Sequence, residues 1–331
     1  MSIRRIVTHW GRFHADEVFA TAVLMRLYPS AELIRTREKG VIDEANRDES
    51  TIIYDVGGQY DPARNCFDHH QFLLRVRPGD EFMEDPQARR ENGVPFAAFG
   101  LVWKHFGAGY VQRMTQQANT NEQVRSYIQA CVDAGLVEGV DAGDCGALEQ
   151  AARLRLDPFH RVQIFGLSEL IADMNPGPLD DEGEAFGRAV AWADGVLQGR
   201  VRAAERAWFA AREVQRHDTG DAILVLSEGI PWPGYTLPHH RLVVYPERGR
   251  SGWLVQSVPS EGDPLIPLCS FPESWAGLRG DALQAHTGVD DAEFCHAGRF
   301  IVGAGSQDGA LRLAKLALRW RRDEAAPGTD L

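Results

Sequence analysis

The sequence predicts an α/β protein, with a parallel sheet wrapped by helices in a first domain and a second, smaller α/β domain reached through a long helix. Three observations carry this reading. Strand-like and helix-like segments alternate from Arg4 to Val56, as they must where parallel strands are joined by crossover helices. The stretch from Asp181 to Gln215 contains no proline and keeps apolar residues in one helical stripe (Phe186, Val190, Ala193, Val196, Val201). New strand-like runs then follow, and 331 residues exceed the usual size of one domain. Two domains imply a cleft.

The first strand is expected at Arg4 to Thr8. A helix follows over Asp16 to Tyr28, where Val18, Phe19, Ala22, Val23, Leu24 and Leu27 share helical spacing and Pro29 ends it. A second strand at Glu32 to Thr36, a short helix at Val41 to Asn46 and a third strand at Thr51 to Val56 complete the alternation. Gly57-Gly58 and Asp61-Pro62 break the chain, and the charged, Pro- and Gly-containing stretch from Arg75 to Gly93 reads as a surface loop. Helices are expected at Pro95 to Phe106, Asn121 to Ala134 and Pro158 to Ala172, the last ending before Asn175-Pro176-Gly177-Pro178. This places a first domain at 1–180, a helical linker at 181–216 and a second domain at 217–331. In the latter, Ala222 to Leu226, Arg241 to Tyr245 and Trp253 to Val258 read as strands and Gly309 to Arg321 as a closing helix, with Ala325 to Leu331 a loose tail.

Composition narrows the function classes. With 44% hydrophobic and 25% charged residues and no apolar run long enough to cross a bilayer, the chain reads as globular, with no membrane partner. Met1 to His9 lacks the apolar core of a secretory leader, so the cytoplasm is the default compartment. The five cysteines are widely spaced and never form C-x-x-C, which suits reduced, mostly buried thiols. A formal net charge of −12 opposes binding of long duplex nucleic acid, yet admits a short or small phosphorylated substrate, because an acidic ligand cluster becomes locally cationic once metal is bound. Nothing in the sequence excludes a homo-oligomer.

In an open parallel sheet, ligands bind beyond the carboxyl ends of the strands. The notable polar residues fall there. His9 follows the first strand, and His14 and Asp16 lie in the turn into the first helix. Asp55 ends the third strand before Val56-Gly57-Gly58, Asp68-His69-His70 follows shortly after, and Asp141 comes after an apolar stretch. Imidazoles and carboxylates without thiolate suit Mn²⁺, Mg²⁺ or a related divalent ion, and the imidazoles favour Mn²⁺. Six ligands (His9, His14, Asp16, Asp55, His69, Asp141) exceed what one open catalytic ion takes, so two ions sharing a carboxylate is the economical reading. Each residue has a blander role open to it, since Asp16 and Asp141 could cap helices; the bland reading must then explain every position separately. The His239-His240 pair starts a strand with no neighbouring acid in sequence and reads as an ordinary strand edge. His105 lies in an apolar helix and reads as packing.

The segments Thr8 to Glu17, Ile34-Arg35-Thr36-Arg37, Asp55 to Pro62, Phe67-Asp68-His69-His70-Gln71 and Val140 to Asp144 resemble the melanocyte-proliferating-gene family, a branch of the DHH phosphoesterase superfamily. The similarity extends through Gly277-Leu278-Arg279, Phe294-Cys295-His296-Ala297, Phe300-Ile301 and Gly309-Ala310-Leu311, nearly the whole chain. The resemblance implies a DHH-type phosphoesterase domain with two divalent ions, in a family whose eukaryotic branch is described as 3′-to-5′ RNA exonucleases. By motif position, His9, His14 and Asp55 would hold one ion, and Asp16, Asp55, His69 and Asp141 the other. Two departures stand out. His14 occupies a place that is Asp in many superfamily members, in which the turn is one residue shorter, and Phe300-Ile301-Val302-Gly303 replaces a Phe-Ile-Gly-Gly segment.

The chemistry expected is a hydroxide shared by two ions attacking phosphorus in line, with Asp55 and Asp68 supporting the centre and His70 holding a phosphoryl oxygen. Arg35 and Arg37 leave the second strand near the same edge, and His296 and Arg299 would approach from the second domain as further substrate contacts. The expected substrate is short RNA or another oligonucleotide. The rival expectations are a phosphomonoesterase or pyrophosphatase, and a catalytically silent metal- or nucleotide-binding protein.

Overall fold

The computed structural model describes residues 2–73, 89–147, 166–263 and 265–325. The chain divides into two compact units, 1–205 and 206–331, with the division inside the long helix rather than at either end of it.

The first unit runs β1 (Arg5–Thr8), α1 (Ala15–Leu27), β2 (Glu32–Arg35), α2 (Lys39–Ala45), β3 (Thr51–Tyr54), β4 (Tyr60–Asp61), β5 (Cys66–Phe67), α3 (Ala98–Met114), α4 (Gln116–Thr120), α5 (Glu122–Val132), α6 (Glu138–Asp144), α7 (Leu167–Asp173) and most of α8 (Glu182–His217). The sheet order is β2-β1-β3-β5-β4, parallel from β2 to β5 with β4 antiparallel at the edge. All four residues of β3 are buried, as expected of a central strand covered on both faces. α1 is buried from Ala15 to Leu24, so it is an interior helix rather than an amphipathic surface one. Phe19 stacks on Phe99 of α3 at 5.2 Å between ring centroids. The strands and helices expected up to Val56 are present, each within two residues of its expected ends.

Later elements depart from the expectations. Pro95 pairs in an extended bridge with Arg89, so α3 starts at Ala98, and it continues to Met114. Gly107 does not break it, because a Cβ there would lie 2.7 Å from the Trp103 ring and the missing side chain makes room for the indole. Asn121 caps α5 by accepting the N–H groups of Gln123 and Val124. A π-helical turn at Asp133–Val137 links α5 to α6. The expected loop at Arg75 to Gly93 and the helix at Pro158 to Ala172 lie largely outside the described residues; within them, only α7 represents that helix. The stretch expected to be helical from Asp181 to Gln215 forms one helix, α8, over Glu182–His217.

The second unit contains β6 (Ile223–Val225), β7 (Leu242–Pro246), β8 (Trp253–Ser257), α9 (Gly280–Thr287), β9 (Ala292–Cys295), β10 (Ile301–Ala304) and α10 (Gln307–Ala325). Its sheet order is β6-β7-β8-β10-β9, with β6 parallel to β7 and the other pairs antiparallel. Alternation along β7 fills both faces: Leu242 and Val244 join Val255, Val302 and Leu313 on one side, and Val243 joins Leu224 and Trp232 on the other. The three expected strands are present, and β9, β10 and α9 add to them. No helix among the described residues is long and apolar enough to cross a membrane.

Candidate metal centre

Three parallel-strand ends and two helix ends of the first unit converge on one cavity of about 870 Å³. β1 delivers His9, and His14 takes the N-cap position of α1, with Asp16 and Glu17 in the first helical turn. Glu17 accepts the His14 N–H at 2.8 and 2.9 Å, fixing where the helix begins. Asp55 follows β3 in the left-handed region, φ 55°, a conformation costing a non-glycine residue about 1 kcal/mol or more. Gly57 and Gly58 continue with positive φ, and a Cβ on Gly57 would stand 2.9 Å from the Asn46 side chain. The strained turn therefore aims Asp55 into the cavity while the two glycines keep its floor open. The segment after β5 delivers Asp68-His69-His70, and the end of α6 delivers Asp144.

The geometry sorts these residues. His9 Nε2 lies 2.9 Å from Glu17 Oε1 and 3.1 Å from Asp55 Oδ2. His69 Nε2 lies 3.2 Å from Asp144 Oδ2, with its Nδ1 3.7 Å from Asp55 Oδ1. Asp68 is differently employed: Oδ1 accepts the His70 N–H at 3.0 Å and its ring Nδ1 at 2.7 Å, and Oδ2 accepts the Gly58 N–H at 2.6 Å. Both of its oxygens are satisfied, so Asp68 orients His70 and the Gly57-Gly58 turn. The His70 ring stacks on His69 at 4.6 Å and is largely exposed to the cavity.

Electrostatics set the groups apart. Burial pushes the Asp16 carboxyl well above the usual carboxylate range, and neighbouring Asp55, Asp144 and Glu17 push it the same way. Burial and Glu17 likewise raise Asp55 against the opposing pull of His9 and His69. Burial would lower the His9 imidazole, but hydrogen bonds to Asp55 and Glu17 prevail and push it up to about 10. Asp68 raises His70 through their hydrogen bond. Burial opposes ionisation of Asp144, and the bond from His69 overcomes it, holding the carboxyl below its ordinary value. Acids are therefore crowded closely enough that two of them, Asp16 and Asp55, resist ionisation without a further cation.

The fit to divalent cations rests on orphaned atoms. Both Asp16 oxygens and His69 Nδ1 are buried without a hydrogen-bond partner, in a site where such a group costs about 1–3 kcal/mol or more. Oxygen and nitrogen donors from His9, His14, Glu17, Asp16, Asp55, His69 and Asp144 lie in overlapping clusters compact enough to hold an ion. No thiolate belongs to the His9 or Asp16 groups, matching the donor set of hard or borderline divalent ions.

Of the residues expected from sequence, His9, His14, Asp16, Asp55, Asp68, His69 and His70 are brought together and Asp141 is not. Asp141 is fully buried against α3, accepting the Gly100 N–H at 2.9 Å and an Arg90 N–H at 2.7 Å. A side chain on Gly100 would collide with its carboxylate. Burial pushes Asp141 up to about 7 despite Arg90. Asp144, one helical turn later, is the acid that lines the cavity. Arg35 turns inward, its guanidinium 4.1 Å from the Phe186 ring and bonded to the Gly11 carbonyl (2.7 Å) and Glu182 (3.2 Å), so it braces the first turn and does not line the cavity. Arg37 does line it, and so does Arg12, which sequence reasoning passed over. Glu17 was also missed, since an acid in a first helical turn reads as a cap.

His296 and Arg299 belong to the second unit, on the turn between β9 and β10. His296 Nδ1 accepts the Gly298 N–H at 2.9 Å, and Arg299 adopts φ 55° with its guanidinium 3.6 Å from Glu273. His239 and His240 do have an acid partner, contrary to the sequence reading: both Nε2 atoms bond Asp218 Oδ1, at 2.8 and 3.1 Å. His105 packs on Phe67 at 5.3 Å, as expected, and meets the Tyr60 hydroxyl at 2.9 Å.

Comparison with known proteins agrees with the extent of the sequence motifs. No solved structure gives a significant match. The MYG1 protein of Schizosaccharomyces pombe is 30% identical over 95% of this chain and 97% of its own length. The Homo sapiens protein named MYG1 exonuclease is 29% identical over 97% of this chain and 87% of its own. The MYG1 protein of Saccharomyces cerevisiae is 27% identical over 95% and 96%. The model of the family described as uncharacterised protein family UPF0160, MYG1_exonuc, matches residues 5–318, and with that span and these relatives the chain belongs to the MYG1 family.

Proposed function

We propose that this chain is a divalent-metal-dependent phosphodiesterase of the DHH type that trims short RNA or oligonucleotides from the 3′ end. The observation that carries the proposal is Asp16: a carboxyl buried in full, with no hydrogen-bond donor on either oxygen, crowded by the acids Asp55, Asp144 and Glu17. The exonuclease names of mammalian relatives support exonucleolytic action, and the resemblance to the eukaryotic branch of the family suggests RNA and the 3′-to-5′ direction.

His9, His14 and Asp55 would hold one ion, and Asp16, Asp55, His69 and Asp144 the other, with Asp144 in the place first expected of Asp141. Mn²⁺ suits the imidazole content best. When bound, such ions supply Lewis acidity, making water nucleophilic near neutral pH and offsetting charge on the phosphoryl group. His70, oriented and raised by the Asp68 bond to its Nδ1, donates from its other ring nitrogen to a phosphoryl oxygen. Arg12 and Arg37 on the cavity wall attract the phosphate-bearing strand, and the Gly57-Gly58 turn lets it approach the backbone. A cavity of about 870 Å³ has room for a small ligand or a terminal nucleotide, and none for a duplex.

A Mn²⁺-supplemented screen of short RNA, short DNA, dinucleotides, pyrophosphate and nucleoside monophosphates tests the reading. Short RNA shortened from its 3′ end is the expected result. Preference for pyrophosphate or a monophosphate overturns the exonuclease assignment, and hydrolysis of none of the five overturns the enzyme reading.

A further inference from the structure

The His9 ring shows how the first ion would be held. Its Nδ1 lies 3.3 Å from the Trp10 carbonyl, which can only accept, so Nδ1 carries a proton and Nε2 is the nitrogen that faces the other way. There it meets Glu17 Oε1 at 2.9 Å and Asp55 Oδ2 at 3.1 Å. In the metal-free chain a proton on Nε2 bridges the two carboxylates, and a divalent ion that displaces it would meet one nitrogen and two oxygens at a single point, beside His14. Adjacent donors on an octahedral ion with bonds of ~2.1 Å stand about 3 Å apart, the separation seen on both edges. Glu17 is wholly buried, and its ion-pair partners among the described residues are the two imidazoles of His9 and His14. Capping the His14 N–H uses one electron pair of each Glu17 oxygen and leaves others directed at His9.

We infer that Glu17 is a direct ligand of the first divalent ion, joining His9 and Asp55, rather than only the acid that caps α1. This rests on the metal-dependent reading of the same site. It adds a second carboxylate to an ion otherwise held by two imidazoles and a shared aspartate. The position thereby becomes harder and more anionic, which offsets the replacement of an expected aspartate by His14.

Glu17→Gln separates ligation from capping, because the amide oxygen still accepts the His14 N–H while the anionic charge is lost. Calorimetric Mn²⁺ titration of the whole chain should show two ions for the parent, with one of them bound at least 10-fold more weakly in Glu17→Gln. The visible spectrum of the Co²⁺-loaded variant should shift, and the thermal midpoint of the metal-free variant should match the parent. Unchanged affinities for both ions overturn the inference. Weaker binding with an unchanged Co²⁺ spectrum also overturns it, since Glu17 would then only position His9. A parent chain that binds no divalent ion removes the metal reading itself, and the inference with it.

Discussion

Each unit gathers histidine and aspartate into a cluster, and the two clusters handle their polar atoms in opposite ways. In the second unit, Asp218 Oδ1 accepts from both His239 and His240 and from the Gly220 N–H, while His240 Nδ1 accepts the Leu237 N–H at 3.0 Å. That last bond requires the His240 proton on Nε2, where it points at Asp218 and bars a metal from that atom. The cluster is complete as it stands. In the first unit, acceptors outnumber donors: Asp16 and His69 Nδ1 have no partner, and Asp16 and Asp55 resist ionisation. Composition alone does not distinguish a structural His–Asp knot from a metal centre; unmet hydrogen-bonding capacity does.

The contrast can be broken most forcefully at Asp55, which serves both proposed ions. Asp55→Asn should reduce Mn²⁺-dependent hydrolysis roughly 10³-fold or more while circular dichroism stays unchanged. Next comes the pair on α6. Asp141→Ala should remove the more deeply buried of the two carboxylates that hold Arg90, leaving Asp133 alone, and lower stability in denaturant unfolding by about 1.5–3 kcal/mol. Asp144→Asn should instead keep stability and lower turnover about 10²-fold. If the two phenotypes are exchanged, the assignment of the cavity acid is wrong.

Acidity offers a smaller test with a defined sign. Asp16, Asp55 and His9 are all raised, so the folded metal-free chain binds more protons than the unfolded one. Their contribution to stability is present at low pH and is lost as pH rises, for His9 from 6.5 through about 10. Asp68 and Asp144 are lowered and act oppositely, their contribution being lost only as pH falls below the usual carboxylate range. Thermal scans of the metal-free chain should therefore show a declining midpoint above neutrality. Mn²⁺ at about 100 times its dissociation constant should restore roughly 2.7 kcal/mol, more effectively at pH 8 than at pH 5. A midpoint that rises with pH would contradict the charge account. The smallest effect belongs to the completed cluster: Asp218→Ala should lower the thermal midpoint slightly and leave Mn²⁺ stoichiometry as it was.

The sequence made the early fold legible because β1, α1, β2 and β3 announce themselves through apolar runs and a single proline, Pro29. It also exposed His9, Asp55 and His69, which follow strand ends where an open parallel sheet binds its ligands, and Asp16 in the first turn of the helix after β1. Asp144 was passed over for Asp141 because two acids stand three positions apart on one helix, and the choice between them is made by packing. Gly100 of α3 is the trace of that choice, a bare backbone on which the Asp141 carboxylate docks. Asp218 lies 21 residues from His239, beyond any local pattern. The two-residue strands β4 and β5 are held by their neighbours and leave no periodicity of their own.

The central claim, that the unsatisfied cluster of the first unit is a metal-dependent hydrolytic centre, is tested most directly with a 5′-labelled short oligoribonucleotide incubated with the parent chain and Asp16→Asn. The account predicts stepwise shortening from the 3′ end by the parent with Mn²⁺, and none with chelator or with Asp16→Asn. Equal shortening in the presence of chelator, or by Asp16→Asn, would contradict it.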